Sequence, residues 1–331
     1  VHAAHCRSSE AMTLNIKPQL AEDAILEAVQ FPVWVQPKID GVRAMNLKGT
    51  LTGRSLDPFA GFGITDYFSS LSFLNLDGEM TLGNKPNCAN RLCSLTTGAM
   101  GRFKGVDTMP DLHWWCFDLL SEATLKLPYD ARYEALKRRL LFLQHERLHL
   151  VPYAEVHSSE VLRQMIAEYA ERGYEGTIIR NPRALYKPGR ATKKGQELWR
   201  VKPWADAEIL VTGITEGEMN ANEAKKNTLG RTERSSAKAG MILNGQVGSI
   251  QGVMLADFYD PITGKLLFAK GLDVTVGSGE MTVEEATDYF KNPKKIVGHI
   301  VKFKHMTHGV KDKPRFPTYV SHRLKTDMEK V

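Results

Sequence analysis

The stretch VQPKIDGVRAM, Val35 to Met45, sets a lysine inside an otherwise apolar, β-rich run. Lys38 stands two residues before Asp40-Gly41 and five before Arg43. An ammonium placed there must be hidden or carried outward. Asp40 would start a turn that Gly41 completes, aiming the amine at the open face of a sheet. Lysine is a nucleophile only as the free amine. With an ordinary pKa near 10.4, roughly one molecule in a thousand is neutral near pH 7.5. Neighbouring cations and partial burial lower that value, and Arg43 is the candidate neighbour. The competing reading is a surface lysine, its charge in water, ahead of a β-turn.

Outward from Lys38, short β-rich runs are broken by turn dipeptides: VWVQPKI, VRAMNLKG, LSFLNLDGEM and HWWCFDLL. That density of strands and Asp-Gly turns predicts an antiparallel sheet region. Pro18 to Gln30 places Leu20, Ala24, Ile25, Ala28 and Val29 on one stripe behind an early proline, which predicts an amphipathic helix. Further helices are expected near Asp130–Gln144 and Ser159–Arg172, the second supported by the i,i+4 pair Glu168–Arg172. GTIIRNP reads as a buried strand. A boundary near Pro203–Ala205 divides residues 12–204 from 205–331. The later half alternates strands (AEILVTGI, GSIQGVML, HIVKFKHM) with one helix, Thr282–Phe290, a pattern that suits an OB-type barrel. The fold class is therefore α+β followed by an all-β barrel. Lys225–Gly240 is polar, with five basic residues against Glu233, and reads as an extended loop.

The 331 residues, 42% of them apolar, suffice for two cores. No run of about 18 apolar residues is present, which argues against a membrane-spanning helix. Residues 1–11 lack an apolar signal core and read as an extension or cloning remnant ahead of Met12. The four cysteines, Cys6, Cys88, Cys93 and Cys116, show no CxxC pairing; free thiols in a reducing cytoplasm are expected. A net charge of +6 is compatible with a polyanionic partner without requiring one.

Two metal-like patterns compete for attention. His145 to His149 spells H-E-x-x-H, the zinc-protease signature, which needs both histidines on one helical face. Leu148, Leu150 and Val151 read instead as a strand stopped by Pro152, so a solvated helix end is expected. Cys88-x₄-Cys93 has no second pair and reads as two small loop residues.

The string K-x-D-G-x-R at Lys38–Arg43 resembles the adenylation signature of the covalent nucleotidyltransferases: ATP-dependent DNA ligases, RNA ligases and mRNA capping enzymes. Further elements follow in order: TGRS with Arg54, LDGEM with Asp77-Gly78-Glu79, CFD with Phe117-Asp118, YEGTIIR with Glu175, and WRVK with Arg200 and Lys202. RFPTYVSHR, with Arg315, Pro317 and Arg323, matches the R-x-P-x-x-x-x-x-R that DNA ligases carry at the end of the barrel. The chain after Met12 is thus identified as resembling a compact, phage-type, ATP-dependent DNA ligase. A nucleotidyltransferase (adenylation) domain would cover 12–204 and an OB-fold domain 205–331. No counterpart of the zinc-ribbon and helix-hairpin modules of NAD-dependent ligases is seen, which favours ATP.

The resemblance implies that Lys38 forms a covalent lysine–AMP and that Lys202, with Arg200, holds the α-phosphate. Glu79 and Glu175 would serve Mg²⁺, the ribose hydroxyl or the orientation of the lysine. Phe117 and Ile178 would cover the two faces of adenine, Gln36 would read its amino edge, and Arg54 would take the ribose and the 5′-phosphate. Arg43 belongs to the same nucleotide site, and Arg315 and Arg323 would engage the leaving pyrophosphate. Arg200 and Arg180 stand where the family usually has lysine, and Pro37 removes a backbone donor beside the nucleophile. The basic loop would clamp a nicked DNA duplex through phosphate contacts from Lys225, Lys226, Arg231, Arg234 and Lys238. Lys304, Lys311 and Lys313 extend that surface. A monomer in the cytoplasm is expected. The alternatives are an RNA ligase, a capping enzyme, or a nucleic-acid binder with a silent adenylation site.

Overall fold

In the computed structural model the described residues are 16–87, 92–105, 108–260, 264–307 and 312–323. The N-terminal extension, Cys6, Cys88 and Lys311 lie outside them.

Two five-stranded sheets build the first part of the chain. One has the order Glu22–Asp23, Trp199–Val201, Gly176–Arg180, Val33–Lys38, Ala154–Val156. The other has the order Leu51–Thr52, Val42–Asn46, Leu76–Leu82, Leu112–Leu119, Leu148–Leu150. Most pairings are antiparallel as expected, with parallel ones at one edge of each sheet. Val33 and Val35 are fully buried and Trp34 nearly so, as a strand covered on both faces requires. The chain leaves that strand at Lys38 and enters the second sheet at Val42, so Ile39-Asp40-Gly41 is the crossover between the sheets. Gly41 is needed there because a Cβ would collide with the Met80 carbonyl oxygen.

Helices Tyr129–Leu143 and Ser159–Glu171 form where the sequence predicts them, the second capped by Ser158. Two further helices, Phe62–Phe68 and Leu92–Arg102, were not expected. The helix expected over Pro18–Gln30 does not form. Gln19–Leu20 pairs with Gly189–Arg190, Glu22–Asp23 pairs with Trp199–Arg200, and a short 3₁₀ turn covers Leu26–Ala28. Inter-strand hydrogen bonds, Glu22 N–H to Leu198 O (3.1 Å) and Ala24 N–H to Arg200 O (2.9 Å), take the place of helical ones.

The second part is a closed five-stranded barrel in the order Trp204–Asn220, Met241–Met254, Asp273–Gly277, Arg315–Arg323, Ile300–Met306. Its interior is filled by Ile209, Val211, Ile250, Val276, Val301 and Phe303. Helix Val283–Lys291 starts with a capping box between Thr282 and Glu285. This is the expected OB architecture. The basic segment is more ordered than a loop: Ala224–Lys226 and Thr232–Arg234 pair as a hairpin beyond the long ribbon of the first two barrel strands.

Candidate active site

Lys38 ends its strand opposite Gly176, and the Glu175 N–H donates to the Lys38 carbonyl at 3.0 Å. That register sets the two side chains together. The Lys38 amine donates to Glu175 Oε2, while Lys202 Nζ lies 2.8 Å from Glu175 Oε1. Gly176 lets the strands approach, since a Cβ there would strike the Val201 carbonyl oxygen. Burial raises the pKa of Glu175, but the ammoniums of Lys38 and Lys202 outweigh it and hold the carboxyl below its usual range. Lys38 therefore faces a carboxylate and a second lysine inside a cavity of about 1070 Å³, not open water.

Arg43 lines the same cavity as Lys38. Its guanidinium forks onto the fully buried Asp77 at 2.5 and 2.6 Å. Glu79 sits across the sheet from Arg43 and lines the cavity. Removal from water pushes its pKa up to about 7, against the pull of Lys38 and Arg43. Its carboxyl has no hydrogen-bond partner among the described residues.

Gln36, 2% exposed, is held on both ends of its amide. Its Oε1 accepts from Tyr129 Oη and Arg180 Nε, both at 3.1 Å, and its Nε2 donates to the Val151 carbonyl at 3.4 Å. Phe117 and Ile178 line the same cavity, with Ile178 paired to both Gln36 and Arg200. The Arg43 and Arg180 guanidiniums lie 4.6 and 5.6 Å from the Phe117 ring centroid. Arg180, set by the strand beside Gln36, thus works as an aromatic-stacked fork, which a lysine could not reproduce.

The remaining cations divide. Arg54, Arg200 and Arg315 line the cavity; Arg200 is held by Asp23 at 2.7 Å. Arg315 comes from the barrel and makes two 2.9 Å hydrogen bonds to Asp40. Arg323, at the far end of the same strand, lies outside the cavity and donates to Glu208 at 2.7 Å. From the hairpin, Arg231 lines the cavity, whereas Lys225, Lys226, Arg234 and Lys238 do not. Lys304 pairs with Glu280, and Lys313 is exposed.

Sequence reasoning missed Asp40 as the partner of Arg315, Asp23 as the partner of Arg200, and Tyr129 and Arg180 as the residues that fix Gln36. Tyr129 follows Pro128 at a helix start, where nothing in the sequence signals a reach back to residue 36.

The protease-like pattern does not assemble. The helix stops at Leu143, Gln144 turns left-handed (φ 43°), and His149 lies on a strand. His145 contacts Tyr67 Oη at 3.2 Å, while His149 Nε2 contacts His113 Nδ1 at 2.8 Å. Cys93 and Cys116 are free thiols. Among the described residues no group of three or more His, Cys, Asp or Glu could hold a metal ion, and no helix is long and apolar enough to cross a membrane.

Known proteins resemble this arrangement. A DNA ligase of African swine fever virus is 27% identical over 237 residues, which are 66% of this chain and 54% of that protein. The DNA ligase of Enterobacteria phage T3 is 34% identical over 104 residues, 30% of this chain and 28% of that one. The chain thus spans about half the length, or less, of these relatives. Among solved structures, Chlorella virus DNA ligase-adenylate superposes with a TM-score of 0.50 at 25% identity, covering 94% of this chain and 99% of that one. A Lig E DNA ligase shares the fold at a TM-score of 0.62 and 20% identity, covering 92% and 98%. A sequence model of the ATP dependent DNA ligase domain matches residues 17–202, more than half of the chain, and the chain accordingly belongs to the ATP-dependent DNA ligase family.

Proposed function

We propose that the protein seals nicks in double-stranded DNA, using ATP through a lysine–AMP intermediate. The adenylation domain is residues 12–204 and the OB domain 205–331. One observation carries this reading: Lys38 and Lys202 share the two oxygens of Glu175 inside a cavity that the barrel closes with Arg315.

In the first step the Lys38 nitrogen attacks the α-phosphorus of ATP. An N–P bond forms, the bond to the pyrophosphate oxygen breaks, and the amine gives up its protons to nearby carboxylates and water. Lys202 is placed to balance charge growing on the α-phosphate oxygens, because positioning and electrostatics dominate phosphoryl and nucleotidyl transfer. Glu175, with both oxygens on amines, orients the two lysines. The AMP is then moved to the 5′-phosphate of a nick, and the 3′-hydroxyl displaces it. Gln36, Phe117 and Ile178 form the adenine pocket, with Gln36 pre-set by Tyr129 and Arg180. Arg43, forked onto Asp77, fixes the sheet edge beside the nucleotide, Arg54 serves the ribose and 5′-phosphate, and Arg200 supports Lys202. Arg315 engages the leaving pyrophosphate; Arg323 would have to move with the barrel to join it.

A Mg²⁺ ion fits the donor set in one way. Such ions are held by one or two carboxylates plus phosphate oxygens and water. Glu79, whose carboxyl is unengaged among the described residues, is the one that would hold it, and the ion would supply charge neutralisation at the phosphates. The duplex is held as substrate by the basic hairpin, the enzyme acts as a monomer, and the free Cys93 and Cys116 suit a reducing cytoplasm.

The test is ligation of a nicked duplex by the wild type and Lys38→Ala, with ATP and NAD supplied separately. Sealing that needs ATP and Lys38, with an acid-labile AMP label on the wild type alone, is the expected result. Activity confined to nicked RNA, a label from GTP, or no label on protein shown to be free of AMP would refute the reading.

A further inference from the structure

Two guanidiniums from distant parts of the chain line the nucleotide cavity without an ion-pair partner among the described residues. Arg54 lies in the turn Gly53–Asp57, closed by the Gly53 N–H to Asp57 O (3.3 Å) and Leu56 N–H to Gly53 O (3.0 Å) bonds. Arg231 lies at the hairpin tip, which Asn227 organises: Asn227 Oδ1 accepts from the N–H groups of Leu229 (3.1 Å) and Arg231 (2.9 Å). Gly230 completes the turn at φ +71°. The tip is docked on the turn, because Thr228 Oγ1 donates to Asp57 Oδ1 at 2.6 Å. Arg54 is three residues before one end of that bond and Arg231 three after the other. Both line the cavity that holds Lys38.

The other cations lining this cavity are engaged. Lys38 and Lys202 are on Glu175, Arg43 on Asp77, and Arg315 on Asp40. Arg200 is on Asp23, Arg190 is 3.9 Å from Glu22, and Arg180 is on Gln36 and the Tyr129 ring. Among the described residues no carboxylate lies within 4.0 Å of Arg54 or Arg231. Of the carboxylates close by in the chain, Asp57 accepts from Thr228 and Glu233 from Asn227 at 2.7 Å, and Glu79 lines the same cavity without a hydrogen-bond partner among the described residues. Two like charges facing one space are stable only in water or around an anion, and planar forks with free N–H groups match phosphate oxygens.

Resting on the ligase reading above, we infer that Arg231 joins Arg54 in a phosphate-binding subsite, so that hairpin closure completes the nucleotide site as well as the duplex clamp. The phosphate has two sources, the triphosphate tail of ATP or the 5′-phosphate of a nick.

Three measurements on Arg231→Ala, Arg231→Lys and Thr228→Val decide it. They are DNA-free self-adenylation as a function of ATP, single-turnover AMP transfer from pre-adenylated protein to a nicked duplex, and calorimetric binding of inorganic tripolyphosphate. Removing the guanidinium in Arg231→Ala is expected to weaken one or more of them by about ten- to hundredfold. Arg231→Lys should recover part of it, and Thr228→Val should move the same parameter in the same direction. A raised KM for ATP with tripolyphosphate binding abolished assigns the tail, and a slowed transfer alone assigns the 5′-phosphate. If Arg231→Ala matches the wild type in all three, or alters only the salt dependence of duplex binding, the subsite does not exist. A wild type that ligates nothing refutes the ligase reading, while weaker tripolyphosphate binding by Arg231→Ala than by the wild type would still establish the subsite.

Discussion

Arg315 and Asp40, 275 residues apart in the chain, join through two parallel hydrogen bonds of 2.9 Å. Asp40 sits in the crossover just after Lys38, and Arg315 opens the last barrel strand. The side chains are 18% and 8% exposed, so neither has full access to water if the other is removed. Removing one partner of such a pair costs about 2–5 kcal/mol, much of it from the charge left behind. Asp40→Asn should therefore loosen the barrel from the adenylation part and slow lysine–AMP formation at least tenfold. Small-angle scattering should show a larger radius of gyration. An unchanged radius and rate would mean that the barrel is held by other interactions.

Glu175 and Glu79 titrate in opposite directions, and their pH signatures differ in sign. Glu175 is held below the usual carboxylate value by Lys38 and Lys202. Its stabilisation is present above about pH 4.5 and is lost as pH falls through the depressed folded value. Glu79 is pushed up to about 7 by burial, so the folded chain keeps a proton that the unfolded chain releases. That contribution declines as pH rises from about 4.5 to 7 and is level above. Urea melts from pH 4 to 8 should show Glu79→Gln removing a decline on the order of 3 kcal/mol. Glu175→Gln should remove part of the acid-side loss and abolish adenylation. Identical slopes for wild type and Glu79→Gln would show that this carboxyl titrates normally.

How much was legible in the sequence follows from which forces act locally. The Lys38 strand, the Gly41 crossover and the Glu175 strand were legible because alternation and turn chemistry are local. Residues 18–30 misled because their helical stripe is real but weaker than pairing with Trp199–Arg200 and Gly189–Arg190, partners about 170 residues away. Phe62–Phe68 and Leu92–Arg102 were invisible for the opposite reason. FGITDYF and LCSLTTGAMGR are poor helix formers, and Thr96 and Thr97 even bond back to the Leu92 and Cys93 carbonyls (2.7 and 2.8 Å). Burial of Ile64, Phe68, Ala99 and Met100 makes them helical. At the site, residue types were readable but partners were not: Arg43 shares the cavity with Lys38, but nothing local to it signalled Asp77 as its partner.

The H-E-x-x-H pattern yields a negative prediction. His149 is stacked on Trp115 (centroids 4.4 Å apart) and bonded to His113, and His145 is on Tyr67. Purified protein should carry no stoichiometric zinc. His149→Ala should leave ligation intact and cost about 1 kcal/mol, the worth of the missing bond and stacking. Zinc that disappears together with activity in this variant would revive the protease.

The basic hairpin gives the last prediction, through counterion release. Lys225 is 3.8 Å from Glu223 on the surface, Lys226 donates to Thr232, and Arg234 to the Asn222 carbonyl. Such exposed interactions are worth little, so the side chains can exchange them for phosphates. Each phosphate that a side chain no longer neutralises should lower the slope of log affinity against log salt by about one. Lys225→Ala with Lys226→Ala should therefore reduce the slope for a nicked duplex by about two, with equal effect on unrelated sequences. DNA-free adenylation should be unaffected, because neither side chain lines the nucleotide cavity. A slope equal to that of the wild type would place the duplex on another face, and a weakening confined to particular sequences would indicate base contacts rather than a clamp.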